Sequence, residues 1–140
     1  PRYTHGHVFD FMKRLKADPS HLEILGNGKQ LKSYLHIFDL MKGLWTVIDS
    51  QPKGFRVYNI GHDDALTVDR SVSYITDQMK LKPRLSYTGG ERGWVGDSPR
   101  IQLDCTKLKK LNWNYEHSLE VGVRDTVKYL TENEFLLKDH

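Results

Sequence analysis

Residues 87–99, YTGGERGWVGDSP, narrow most sharply what this chain can fold into. Gly90, Gly93 and Gly96 stand three apart after a Thr-Gly pair, the spacing of a dinucleotide-binding turn. Such a turn needs an apolar strand before it and a helix start after it, so that backbone N–H groups and the helix dipole meet the phosphates. Here the preceding run, KLKPRLSY, carries three cations and a proline and predicts an edge strand at best. Asp97-Ser98-Pro99 then breaks the chain where the helix should begin. The flanking context therefore argues against a dinucleotide site, whatever the spacing. What remains is a long polar loop carrying Arg92 and Asp97 beside the face of Trp94. Arginine can grip a phosphate through two parallel bonds, and a carboxylate can accept from ribose hydroxyls. An internal Arg92–Asp97 pair that only closes the loop fits the spacing equally well.

Helical and extended patterns alternate around this loop. Val8, Phe11, Met12 and Leu15 recur at helical spacing and stop before Pro19. Residues 22–25 predict a short strand leading into Gly26-Asn27-Gly28, a turn signal. Residues 33–37 predict another strand. Ile37, Leu40, Met41, Leu44 and Ile48 mark an amphipathic helix with Asp39 in its first turn, where a carboxylate suits the dipole. Residues 55–60, FRVYNI, read as a buried, parallel-type strand flanked by helices. Thr67 caps a helix with Val68, Val72, Ile75 and Met79 on one face, and Ser118 opens another with Leu119, Val123, Val127 and Leu130 inward. Between them, Ile101 and Leu103 predict a brief strand, Asp104 a cap, and Asn112 a left-handed helix stop. The closing ENEFLLKDH predicts a frayed tail. The pattern as a whole is α/β in one domain.

Composition removes several classes of function. The net charge of +3 comes from cations spread along the chain, whereas nucleic-acid binders concentrate them on one face. No apolar run approaches the roughly 20 residues that span a bilayer, and no signal-peptide pattern is present. The expectation is no membrane and no nucleic acid. The single Cys105 excludes an internal disulfide and a multi-cysteine zinc site, and a cytoplasmic location follows as the default. The opening Pro1, with no Met, reads as a piece of a longer polypeptide. His5-x-His7 and His62-Asp63-Asp64 hold metal-ligand types without a metal motif, so they read as polar loop residues. Cys105 has no base placed beside it and reads as a structural thiol.

One set of motifs goes further. GNGKQLKSYLHIFD, residues 26–39, resembles the G-x-G-x-Q-x-R/K-x-Y-x-x-V-x-D segment of extended short-chain dehydrogenases that act on nucleotide sugars. The resemblance continues through Val57-Tyr58-Asn59-Ile60-Gly61, Thr67-Val68 and the Gly-Gly-x-Arg-Gly-Trp-x-Gly-Asp loop. It ends in Leu103-Asp104, Lys107-Leu108 and Leu111-Asn112-Trp113. The implied family is the NAD-dependent nucleotide-sugar epimerases and dehydratases, most like the UDP-glucose 4-epimerases. The implied fold is a mixed α/β substrate-binding domain, the C-terminal part, lacking most of the Rossmann domain. Helix 38–49 and strand 55–60 would pack on that absent N-terminal domain.

By the resemblance, Lys32 falls where the family has an arginine on the diphosphate, keeping the point charge but losing the fork. Arg92 and Asp97 would hold the phosphates and the uridine ribose. Many relatives place that arginine three residues before the aspartate, where Trp94 stands here. Ile24 and Leu25 would border the uracil, mainly through backbone, and Tyr34 completes the substrate-binding set. Phe38 replaces the usual Ser or Asp at the helix start, removing a cap. In the family a tyrosine with lysine four residues on is the acid/base, and NAD takes and returns the hydride. None of the seven tyrosines here has that lysine. The resemblance thus implies a chain that binds a UDP-sugar without turning it over, with NAD on the missing domain and none on this chain. It also implies self-association through Leu40, Leu44, Trp45 and Ile48. Two rivals stand beside it: a free-standing nucleotide-sugar-binding module, and a weak nucleic-acid binder supported only by the pI and scattered aromatics.

Overall fold

Pro19 sets the first boundary. α1 (His7–Ala17) ends just before it, with the Asp18 N–H still bonded to the Arg14 carbonyl, and Met12 and Leu15 face inward at helical spacing. The chain then turns into β1 (His21–Ile24), whose alternate residues Leu22 and Ile24 are buried. The structure is a computed structural model and describes residues 6–93, 96 and 102–138. Among them, β2 (Leu31–Lys32) pairs antiparallel with β3 (Leu66–Thr67), and β1 pairs parallel with β4 (Arg84–Tyr87). Pro83 immediately precedes β4, a position where a strand tolerates the missing donor.

Three helices carry the main core. α3 (Val68–Met79) starts at Thr67, whose side chain accepts from the Arg70 N–H, and α5 (Leu119–Glu132) starts at Ser118, which accepts from the Val121 N–H. Their inward residues Val72, Ile75, Val123, Val127 and Leu130 meet Met12, Leu15, Leu22 and Ile24 in one cluster. A second, smaller cluster gathers Cys105, Leu108 and Trp113 around α4 (Thr106–Lys109). Asp104 caps α4 from one residue further out, accepting from the Thr106 N–H at 2.9 Å, and Asn112 takes the expected left-handed conformation at φ 62°.

α2 (Ile37–Asp49) is built the other way round. Its buried residues are Asp39 and Gly43, while Ile37, Phe38, Met41, Leu44, Trp45 and Ile48 face outward. The start that Phe38 leaves uncapped is capped by His36, whose Nδ1 accepts the Phe38 N–H at 3.2 Å.

Four expectations are corrected. Residues 55–60 form no strand, and Phe55 is 88% and Val57 61% exposed; β propensity has no effect without a partner to pair with. The parallel pair is β1 with β4 instead. Residues 33–37 do not extend β2, because its partner β3 is only two residues long before Thr67 starts α3. Of the brief strand at 101–103, Ile101 lies outside the described residues and the rest is irregular. The tail is not frayed: Glu134–Leu137 is a 3₁₀ turn (η1) with Leu137 buried in the main core and Glu134 paired to Lys16.

Candidate functional site

The carboxyl ends of β1 and β4 lie side by side, and in open α/β sheets ligands collect at such ends. From β1 the chain passes Leu25 into the Gly26–Gly28 turn; from β4 it passes Thr88 into the glycine loop. The two are laced together. Thr88 N–H donates to Ile24 O (3.1 Å), Gly89 N–H to Gly26 O (3.0 Å), and Gly26 N–H to Thr88 Oγ1 (2.8 Å). Gln30, itself buried, donates from Nε2 to Leu25 O at 2.8 Å and holds the turn from beneath. Gly26 has φ 83°, and a Cβ there would lie 2.0 Å from Gln30 Nε2 and 2.9 Å from the Arg92 carbonyl oxygen. Only glycine lets residue 92 approach this closely.

Three of the expected residues thus meet: Ile24, Leu25 and Arg92. Ile24 has its side chain in the core, leaving only its backbone for a ligand, whereas Leu25 and Arg92 are exposed. Lys32 and Tyr34 belong to a second group around His7. The Tyr34 ring lies 5.5 Å from the His7 ring, and His7 Nε2 is 2.6 Å from the buried Ser71 Oγ. Burial pushes the His7 pKa down to about 4, Asp10 opposing this and the Lys32 charge adding to it. At neutral pH this imidazole is uncharged. Asp97, like Trp94, lies outside the described residues.

A cavity of about 770 Å³ opens beside this second group, between the start of α1, residues 34–38 and α5. Its walls are mostly apolar, with His7, Tyr34, His36, Asp125 and Tyr129 among the polar groups. Of the expected residues that are described, only Tyr34 lines it. The expectation that His7, with His5, is a polar loop residue is corrected: His7 opens α1 and its ring is turned inward onto Ser71, a burial that the spacing of two histidines does not advertise. Asp39 was read as a helix-dipole partner and is more than that. Its carboxylate is 1% exposed and accepts from the Glu116 N–H, the His117 N–H and His117 Nδ1 at 3.0–3.1 Å. Burial raises its pKa, but these donors outweigh burial and leave it below its ordinary value. His117 in turn stacks on His36 at 4.0 Å.

Cys105 is buried and its thiol pKa is pushed up by that burial, which suits packing and not nucleophilic attack. His62 accepts the Asp64 N–H at Nδ1 and stacks on Tyr115. Among the described residues no group of three or more His, Cys, Asp or Glu could hold a metal, and no helix is long and apolar enough to cross a membrane. The described part of the glycine loop is not built as a dinucleotide-binding turn. The exposed strand β4 leads into glycines after which no described helix starts before Thr106.

The model of the NAD dependent epimerase/dehydratase family matches residues 1–61. A probable dTDP-glucose 4,6-dehydratase of Sinorhizobium fredii is 28% identical, over 83% of this chain and 35% of its own length. A UDP-glucuronate 4-epimerase of Thermodesulfobacterium geofontis is 26% identical, over 94% and 39%. The chain therefore spans little more than a third of these relatives. Among solved structures, a UDP-galactose 4-epimerase superposes with a TM-score of 0.80 at 28% identity, over 95% of this chain and 42% of that one. The UDP-glucose 4-epimerase of Thermotoga maritima, solved with UDP-glucose, gives 0.76 at 26%, over 92% and 40%. With the ordered motifs and the mixed α/β architecture, these likenesses make the chain a relative of the NAD-dependent nucleotide-sugar epimerases and dehydratases, the extended short-chain dehydrogenases, matching part of their fold.

Proposed function

We propose that this chain is the substrate-gripping portion of a nucleotide-sugar epimerase or dehydratase, with a UDP-hexose its favoured ligand and 4-epimerisation the favoured reaction. The observation that carries the reading is the union of the Leu25 turn and Arg92 at the carboxyl ends of two parallel strands. There the exposed Leu25 segment offers an edge for a base, and the Arg92 guanidinium a forked donor for a diphosphate. Lys32, which stands with the His7 group and not beside Arg92, is proposed to add only a longer-range charge, and Asp97 is proposed for the ribose.

The chain's own residues bind and orient; they do not move a hydride. NAD, when bound, would accept and return that hydride, and its place in this reading is a separate Rossmann domain. The outward apolar face of α2 and the unpaired residues 55–60 are proposed to pack against that domain. Calorimetric titration of UDP tests the reading. We expect binding that Arg92→Ala weakens by roughly ten-fold and Lys32→Ala by less, since a forked, charge-assisted contact is stronger than a point charge. Unchanged affinity in Arg92→Ala would return the glycine loop to a purely structural role. The 140-residue chain mixed with NAD and UDP-sugar is expected to show no turnover. Product forming in proportion to its concentration would overturn that part.

A further inference from the structure

Asp69, in the first turn of α3, touches both loops of the proposed nucleotide site. Its Oδ1 accepts from the Tyr87 hydroxyl at 3.0 Å, its Oδ2 from Lys29 Nζ at 2.7 Å, and its own N–H donates to the Gly28 carbonyl at 3.0 Å. Tyr87 is the last residue of β4, from which the Arg92 loop departs, and Lys29 follows directly on the Gly26–Gly28 turn. A Cβ on Gly28 would stand 2.0 Å from Asp69 Oδ1 and 2.8 Å from the Tyr87 ring, so carboxylate and phenol are packed onto the turn itself. We infer that Asp69 and Tyr87 are positioning residues that set the separation between the Leu25 turn and Arg92, and so govern the fit of a nucleoside diphosphate. The inference rests on the nucleotide-sugar reading above.

Two observations favour positioning over direct contact. The first N–H groups of α3 already have partners within the chain: Val68 donates to Gln30 O, Asp69 to Gly28 O and Arg70 to Thr67 Oγ1. The helix end therefore holds loops and leaves no donor for a phosphate. The Asp69 carboxylate, for its part, would repel a diphosphate, and its pairing with Lys29 removes most of that repulsion. Burial and the neighbouring carboxylate both push the Tyr87 phenol pKa up, so its hydroxyl remains a donor at neutral pH.

A double-mutant cycle tests this by calorimetry with UDP on the unaltered protein, Tyr87→Phe, Arg92→Ala and the double variant. Tyr87 is exposed along its ring, so Tyr87→Phe removes one hydrogen bond and leaves the strand packed. Tyr87→Phe is expected to weaken UDP binding about five-fold in the unaltered background. With Arg92 already gone it should have almost no effect, because the loop then has nothing to aim. An equal loss in both backgrounds, or none in the first, overturns the positioning role. If the unaltered protein does not bind UDP, the nucleotide-sugar reading itself fails and the positioning role falls with it.

Discussion

α3 and α2 have the same helical period, yet α3 turns its apolar stripe inward and α2 turns its stripe out. Val72 and Ile75 of α3 are fully buried in the main core, while Trp45 and Ile48 of α2 are each 57% exposed. Hydrophobic burial holds α3. α2 is held on its polar and small face, where Asp39 bonds to the 116–117 segment and its carbonyl accepts from Trp113 Nε1 at 3.1 Å. Gly43 lets the fully buried Trp113 approach to within 3.1 Å of where a Cβ would stand. Periodicity thus identifies a face without saying what covers it, and an apolar face left wet points to a further surface.

The largest expected effect separates the two modes of attachment. Asp39→Ala leaves three donors facing an apolar hole and should cost about 3–5 kcal/mol, read by urea unfolding with tryptophan fluorescence as the signal. A loss under 1 kcal/mol would mean that packing, and not the carboxylate, holds α2.

Acid should then distinguish the regions by pH. The folded pKa of His7, about 4, lies below its ordinary 6.5. Stability on the core side is therefore full above pH 6.5, falls between 6.5 and about 4 by up to about 3 kcal/mol, and levels off below. Asp39 is also depressed in the fold, so its contribution is full above its ordinary 3.8 and declines only as pH drops through the lower folded value. Unfolding free energies between pH 7 and 4 for the unaltered protein and His7→Gln check this. Parallel slopes would show that His7 is not the group that titrates.

The exposed face of α2 gives the next effect. Sedimentation over a concentration series should show the chain associating, and Trp45→Lys should shift the association midpoint roughly ten-fold, since one large apolar side chain is worth about 1.5–3 kcal/mol of burial. A clean monomer at high concentration would break the comparison, because the stripe would then need no cover. The smallest effect belongs to α3: Thr67→Ala removes one capping bond and should cost about 1 kcal/mol in the same urea assay, without disturbing α2.

What could be read in advance was local chemistry. Thr67, Ser118 and Asn112 mark helix ends by the side chain or backbone each position requires, and Gly26-Asn27-Gly28 marks its turn in the same way. What could not be read depends on partners far along the chain. FRVYNI has a strand's composition and forms none among the described residues, while the charged, proline-led RLSY forms one because β1 is there to receive it. The role of Asp39 lies 77 and 78 residues away, in the amides of Glu116 and His117. The site divides in the same manner. Arg92 and the glycine turn could each be singled out, but the contact between them depends on the β1–β4 ladder. His7 depends on burial beneath Ser71 and Tyr34.

That ladder has a consequence for how the protein is made. His21 and Ser86, bonded side chain to side chain across it at 2.8 Å, are 65 residues apart in sequence. Between them in the chain lie β2, α2, β3 and α3. Closing so long a loop costs entropy that only the finished ladder repays, so the parallel strands are expected to join late in folding. The ends that present Leu25 and Arg92 would then be among the last parts to take shape. A ligand bound there would select chains that have finished folding, and its presence during refolding would raise the yield of native protein without hastening the early steps.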